Sequence, residues 1–337
     1  MLDINYILHG NMNTYNPSMY ILLEESFNQF DRDIRDAVND YTMSVSPFYL
    51  ESDIIGIMTE ANKEGVRKEK KNIFARIGEA VRNIVKKIRE FCDKCINKVK
   101  DITFSMKSSE KKMNRLIKEH PELTKEKIQF LCDEGGIDFS DFKSFKEMDA
   151  AFYQLVQAAK DPKVDENTMK GKFEKFKKKV KNDDSTIQTV AKVAGAVGGV
   201  ISLFTAIKLI SKTKKDSVEA SARLRKQNDL DKKNIDDMMK QAYSGREDEY
   251  NNMGKMTYVL NAYRIKSGHQ SKVLNEHVGI VSKMANMFAS AVDKLTSSGA
   301  SKAILGDVNQ NYKEDIKNAK SRLSSNMKYY DGDRGNR

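Results

Sequence analysis

Val190 to Ile210, VAKVAGAVGGVISLFTAIKLI, holds fifteen consecutive uncharged residues between Lys192 and Lys208, in a chain where Asp, Glu, Lys and Arg make up 32% of all residues. As one helix, the stretch would reach about 32 Å at about 1.5 Å per residue, the thickness of a bilayer's hydrocarbon core. Lys192 and Lys208 lie close enough to its ends to snorkel toward headgroups. Two placements follow: a helix that spans a membrane, or a central helix buried on all sides of a bundle. Length and flanking lysines favour the membrane, with Val190, Gly195, Gly199, Leu203 and Ile210 marking the segment. Gly195 and Gly199, four apart, make a small-residue face that allows close helix approach. Each glycine also costs about 1 kcal/mol against alanine in a helix interior, so a hinge or short hairpin is the alternative.

The rest of the chain reads as helix. Four prolines and no tryptophan in 337 residues, with Lys, Met, Ala, Ile and Asn abundant, suit helices and give little of the turn punctuation that β-sandwiches and barrels need. The expected fold is therefore all-α: an elongated bundle of long amphipathic helices around one central apolar helix or hairpin that is able to span a membrane. Charge is uneven. Residues 1–60 carry 2 basic and 10 acidic side chains, whereas 61–118 carry 18 basic and 7 acidic, within a total formal charge of +11. That asymmetry either holds the acidic part against the basic part inside the molecule or offers the basic part to phosphates.

In chain order, Asn16 and Pro17 suit a helix start. Tyr20, Leu23, Phe27, Phe30, Ile34, Ala37 and Tyr41 then recur at threes and fours, one helical stripe, until Ser46 and Pro47 break the pattern. From about Lys63 to Ile102, Phe74, Ile77, Val81, Ile84, Ile88, Phe91 and Cys95 repeat the spacing while Arg76, Arg82, Lys86, Lys87 and Arg89 fill other positions. This is a basic amphipathic helix, suited to bundle packing, an anionic bilayer surface or nucleic-acid phosphates. Shorter helices are expected over 108–160, interrupted at Asp161 and Pro162. Lys170 to Lys181 follows, a polybasic lead-in with seven lysines against Glu174, including Lys175, Lys177, Lys178 and Lys179. A helix is expected from Asp216 to about Tyr243, and a break around Gly268. Beyond it, Leu274, His277, Val281, Met284, Phe288, Ala291 and Leu295 form another stripe, and Leu305 to Leu323 a weaker one. The resulting segments are 1–60 acidic and helical, 61–107 the basic helix, 108–185 a small helical region with its polybasic end, 186–211 apolar, 212–328 helical and 329–337 a disordered tail.

No chemistry-bearing constellation is expected. Cys92 and Cys95 form a C-x-x-C, but a structural zinc needs four ligands, and Cys132 and the histidines His9, His120, His269 and His277 are scattered. Cys95 sits on an apolar stripe, where a thiol behaves as a small hydrophobe. Three cysteines in so long a chain also argue against a disulfide framework. Gly195, Gly198 and Gly199 lack the preceding strand and following Gly-Lys-Ser/Thr of a phosphate loop. Asp229 to Lys240 places Asn234 and Lys240 where a calcium loop needs Gly and Glu. No catalytic, cofactor or metal site is assigned, and no secretory signal peptide is read in MLDINYILHG.

The segment KKNIFARIGEAVRNIVKKIREFCDKC, preceded by an acidic helix and followed by one apolar span, resembles internal virion proteins of large tailed bacteriophages, and the Lys/Asn/Ile-rich composition looks like that of a low-GC phage or host. The resemblance spans mainly residues 18–210 and carries over no functional residue. It implies a non-enzymatic protein packaged in the capsid or ejected with the genome, reaching a host membrane without an export signal. The partners expected are a membrane or anionic lipid, nucleic acid, other virion proteins or a second copy of the chain. The alternatives are an α-helical pore-forming protein, which stores an apolar hairpin in a bundle, and a single-span cellular membrane protein.

Overall fold

The computed structural model describes residues 18–55, 60–119, 129–132, 143–196, 199–244 and 249–297. The stripe of the first helix, α1 (Ser18–Ile55), decides how the bundle begins: Leu23, Phe27, Phe30, Ile34 and Ala37 are all buried. They close onto α2 (Glu60–Glu119), which buries Ile77, Val81, Ile84, Ile88, Phe91 and Cys95. The two helices are antiparallel, since Tyr20 meets Phe91 at 6.3 Å between ring centroids and Arg76 Nη1 reaches Asp40 Oδ2 at 2.5 Å. The acidic and basic parts of the sequence thus lie against one another within the molecule.

A short strand, β1 (Gln129–Cys132), comes next, followed by α3 (Lys143–Lys160), α4 (Glu166–Ala196), the strand β2 (Gly199–Ser202), α5 (Leu203–Ser244) and α6 (Glu249–Ser297). The fold is all-α apart from the antiparallel β1–β2 ladder, which pairs Gln129 with Ser202 and Cys132 with Gly199. α5 runs antiparallel to α2, through Arg89–Asp229 and Arg225 Nη1–Asp93 Oδ1 at 2.6 Å. It is also antiparallel to α6, through Ser217–His277 and Asp231–Lys266. α2 and α6 are therefore parallel.

The hub is α6. It packs against each of the other five helices, and its buried Met256, Val259, Leu260, Tyr263, Leu274 and Val278 belong to the main core. Farther along, Met106, Met113 and Leu116 of α2, Ile210 of α5, and Val281, Phe288 and Val292 of α6 are buried outside that cluster. Lys112 Nζ and Asp293 Oδ1, 2.7 Å apart, tie the two helices there.

Several expectations change. α1 continues through Ser46 and Pro47 to Ile55, giving up only the hydrogen bond that a proline cannot donate. α2 runs past Ile102 to Glu119. The break expected around Gly268 is absent: α6 passes through it, and the Gly268 carbonyl accepts the Tyr20 hydroxyl at 3.4 Å. Burial of the flanking Lys266, Ser267, His269 and Gln270 outweighs the cost of about 1 kcal/mol for a helical glycine. The apolar stretch changes most. Val190 to Ile210 is divided among the end of α4, β2 and the start of α5, and among the described residues no helix is long and apolar enough to cross a membrane. Glycines that weaken helix, beside β-branched Val200 and Ile201 that fit a pleated ladder, give the physical reason. The side-chain surroundings of Val190, Gly195, Gly199 and Leu203 lie outside the described residues, whereas Ile210 is buried. The stripe expected over Leu305 to Leu323 and the tail also lie outside them.

Candidate functional site

Two groups of side chains are candidates: the lysines and arginines singled out in the sequence, and a buried polar cluster where α3, α5 and α6 meet. Lys266 of α6 is fully buried. Its Nζ lies 3.1 Å from Asp149 Oδ1 of α3, donates a short hydrogen bond to Asp231 of α5, and stands 4.8 Å from the Phe152 ring centroid. Asp149 also accepts from Gln270 Nε2 at 3.0 Å and pairs with Arg223 Nη2 at 3.5 Å. Asp231 accepts from Gln227 at 3.1 Å. Two cations and two carboxylates balance, which is the condition for keeping such groups out of water.

One turn away, Asn228 Oδ1 accepts from the Tyr263 hydroxyl at 3.0 Å and from Ser267 Oγ at 3.2 Å, while Asn228 Nδ2 donates to the Leu224 carbonyl at 2.8 Å. Burial pushes the Asp231 carboxyl above its ordinary value although Lys266 pulls it down, and burial followed by the Asp231 charge pushes the Tyr263 phenol well up. The cluster joins three helices through paired charges, and Gln270 Oε1 is its buried atom without a hydrogen-bond partner among the described residues. Farther along α6, Lys255 Nζ donates to the Asp161 carbonyl at 3.1 Å, holding the α3–α4 turn. Sequence reasoning missed this stripe. The signal was present: Lys255, Lys266, Gln270 and His277 are spaced by eleven, four and seven, all close to whole helical turns.

The basic residues of α2 are divided. Arg76 is committed to Asp40, Arg89 to Asp229 and Lys87 to Glu90 at 3.2 Å, while Arg82 and Lys86 are exposed and make no ion pair among the described residues. Those pairs are half-exposed and contribute little stability; Arg76–Asp40 and Arg89–Asp229 mark the register of α2 against α1 and α5. α4 differs. Asp165 caps its start, accepting the Thr168 N–H at 2.7 Å, and hydrogen bonding from the Thr168 side chain, then from its backbone, holds the carboxyl below its ordinary value. Met169, Phe173, Phe176 and Val180 are buried, while Lys170, Lys172, Lys175, Lys177, Lys178, Lys179 and Lys181 are all exposed. Lys177 pairs with Glu174 at 3.0 Å and Lys179 with Glu147 of α3 at 3.4 Å, and the other five make no ion pair among the described residues.

Cys92 and Cys95 are fully buried on α2, and burial pushes the Cys92 thiol up to about 12 and that of Cys95 higher still. The thiolate is the reactive form. Both cysteines should therefore stay unmodified by iodoacetamide at pH 8 in the native protein and react once urea unfolds it, as read by peptide mass mapping; rapid native labelling of either would contradict their burial. No group able to hold a metal ion occurs among the described residues. An open groove of about 490 Å³ between α1 and α2, bordered by Leu22, Gln29, Arg32, Glu90, Phe91 and Lys94, mixes both charge signs. It assembles no reactive set.

No protein family, curated protein or solved structure matches this chain.

Proposed function

We propose that this chain is a non-enzymatic helical virion protein, internal to the capsid or ejected with the genome, whose bundle is a rigid scaffold that docks on a polyanion through α4. The observation that carries this reading is the exposure of all seven lysines between Lys170 and Lys181 with Glu174 as the sole acid among them. Among the described residues, five of these seven make no ion pair. A run of this kind attracts phosphates and releases their counterions, whatever the sequence of the polymer. The basic residues Arg82 and Lys86 of α2 add to the field. The virion setting is supported by the resemblance of residues 18–210 and by the Lys/Asn/Ile-rich composition; recovery of the protein with purified particles tests it directly, and its absence from them would refute it.

The docking reading is tested by fluorescence anisotropy with duplex DNA between 50 and 200 mM salt. Affinity should fall steeply with salt, with a slope near 0.9 for each phosphate neutralised. Replacing Lys175, Lys177, Lys178 and Lys179 together by Gln should remove about three to four units of that slope. A flat salt dependence, or a variant that binds as the parent does, would refute docking through α4.

A second reading has anionic lipid as the polyanion, because the same lysines lead into the apolar Val190 to Ile210. The burial of Ile210 inside the bundle weighs against it. Vesicles of phosphatidylserine in the same assay separate the two.

A further inference from the structure

We infer that α4 recognises duplex nucleic acid by lying in the major groove, its lysines arranged in two rows that meet the phosphate walls on either side; this rests on the polyanion reading above. The helix touches the bundle by a narrow seam. Met169, Phe173, Phe176 and Val180, spaced by four, three and four, are its buried residues between positions 169 and 182. At about 100° per residue these four fall within an arc of about 60°. The other positions face solvent, so most of the circumference of α4 is open.

The lysines are not spread evenly over that open surface. Lys170, Lys177 and Lys181 lie on one flank, about a quarter turn from the seam, and Lys172, Lys175 and Lys179 lie on the opposite flank. Between the rows, farthest from the bundle, stand Gly171, Glu174 and Lys178. At Gly171 a Cβ would meet nothing within 4 Å, so the ridge is bare there and lets backbone come close to a ligand. A helix with side chains is about 10–12 Å across and the major groove about 12 Å wide, with a line of phosphates along each rim. Two cationic flanks with a slim ridge between them match that cross-section.

The other polyanions fit less well. A flat bilayer touches a cylinder along one line, so it would meet the ridge and leave both rows beside the contact. Helices that lie on bilayers also insert an apolar face, and here that face is spent on the core. Single strands are held by stacking bases on exposed aromatic rings. The aromatic residues of α4 are occupied instead: Phe176 is buried, and the Phe173 ring lies 5.5 Å from that of Tyr258 with Lys177 Nζ 5.4 Å from its centroid. The exposed Lys179–Glu147 pair can exchange its carboxylate for a phosphate at small cost.

The test uses the full chain and a duplex of about 20 base pairs, with two triple variants, Lys170/Lys177/Lys181→Gln and Lys172/Lys175/Lys179→Gln. All six side chains are exposed, and a thermal melt matching the parent establishes that each variant is folded. Each triple should weaken duplex binding about tenfold or more at 100 mM salt and reduce the salt slope by about three. A duplex carrying bulky substituents on cytosine C5, which fill the major groove, should bind more weakly than the plain duplex. If only one row matters, or the C5-substituted duplex binds equally well, groove entry is overturned while polyanion docking stands. Binding to phosphatidylserine vesicles as tight as to duplex, with the C5-substituted duplex bound as well as the plain one, assigns the surface to lipid and overturns the inference. Absence of binding to duplex, single strand and vesicles at 50 mM salt overturns the docking reading itself.

Discussion

Lys266→Ala is expected to lower the unfolding free energy by about 3–5 kcal/mol, measured by urea denaturation at pH 7. The substitution removes the buried cation and leaves the carboxylates of Asp231 and Asp149 facing a cavity. Asp231, 1% exposed on its side chain, loses its ion-pair partner, while Asp149 keeps Arg223 and Gln270. Most of the loss therefore traces to Asp231. Lys266→Met combined with Asp231→Leu should recover the greater part of it, because an apolar pair of similar volume strands no charge. A double variant as unstable as Lys266→Ala would show that packing, not the ion pair, sets the cost.

The pH dependence has a definite sign. Burial raises the Asp231 pKa even with Lys266 beside it, and Lys266 is the largest influence pulling it down. In Lys266→Ala that pull is gone, so the folded variant holds a proton over a wider range above the ordinary value of 3.8 than the parent does. There the native state binds more protons than the unfolded chain, and stability rises as pH falls. The deficit of the variant should narrow between about pH 7 and about pH 5. A deficit independent of pH would mean that Asp231 is not the stranded charge.

Phe152→Ala should cost a similar amount, about 3–5 kcal/mol. Phe152 is fully buried on α3, its ring 6.1 Å from that of Tyr263 and beneath the Lys266 ammonium. Removing it opens a cavity at the junction of α3 and α6 and takes away the aromatic face that the ammonium rests on. Phe152→Ala and Lys266→Ala touch the same space, so the double variant should lose clearly less than the sum of the two. Strict additivity in urea midpoints converted at constant m would contradict that contact.

The helices themselves were legible. The three-four stripes of α1 and α2 name buried residues nearly one for one, because a helix on the outside of a bundle has a wet side and a dry side. α6 defeats that logic. Surrounded by five helices, it has almost no wet side, and its polar residues are placed by partners on other helices that a single sequence does not reveal. Val190 to Ile210 was misleading for a related reason: apolar length measures the wish to leave water and says nothing of whether protein or lipid is waiting. The β1–β2 pairing joins segments far apart in sequence, and QFLC alone is too short to announce itself. The α4 lysines were visible from the start, but their division into two rows needed the seam of Met169, Phe173, Phe176 and Val180 to be located first.

The ladder between Cys132 and Gly199 has a consequence for how such a chain can change over time. It brings the two ends of the segment that bears the lysines to within the spacing of neighbouring strands, about 4.8 Å. α3 and α4 are thus an excursion that leaves and rejoins the scaffold at one doorway. A different hairpin, shorter, longer or differently charged, can be fitted between those ends without moving α1, α2, α5 or α6, provided it still offers Lys266 a carboxylate and fills the core space that Phe152 and Phe173 occupy. The partner surface and the frame that carries it are free to evolve at different speeds.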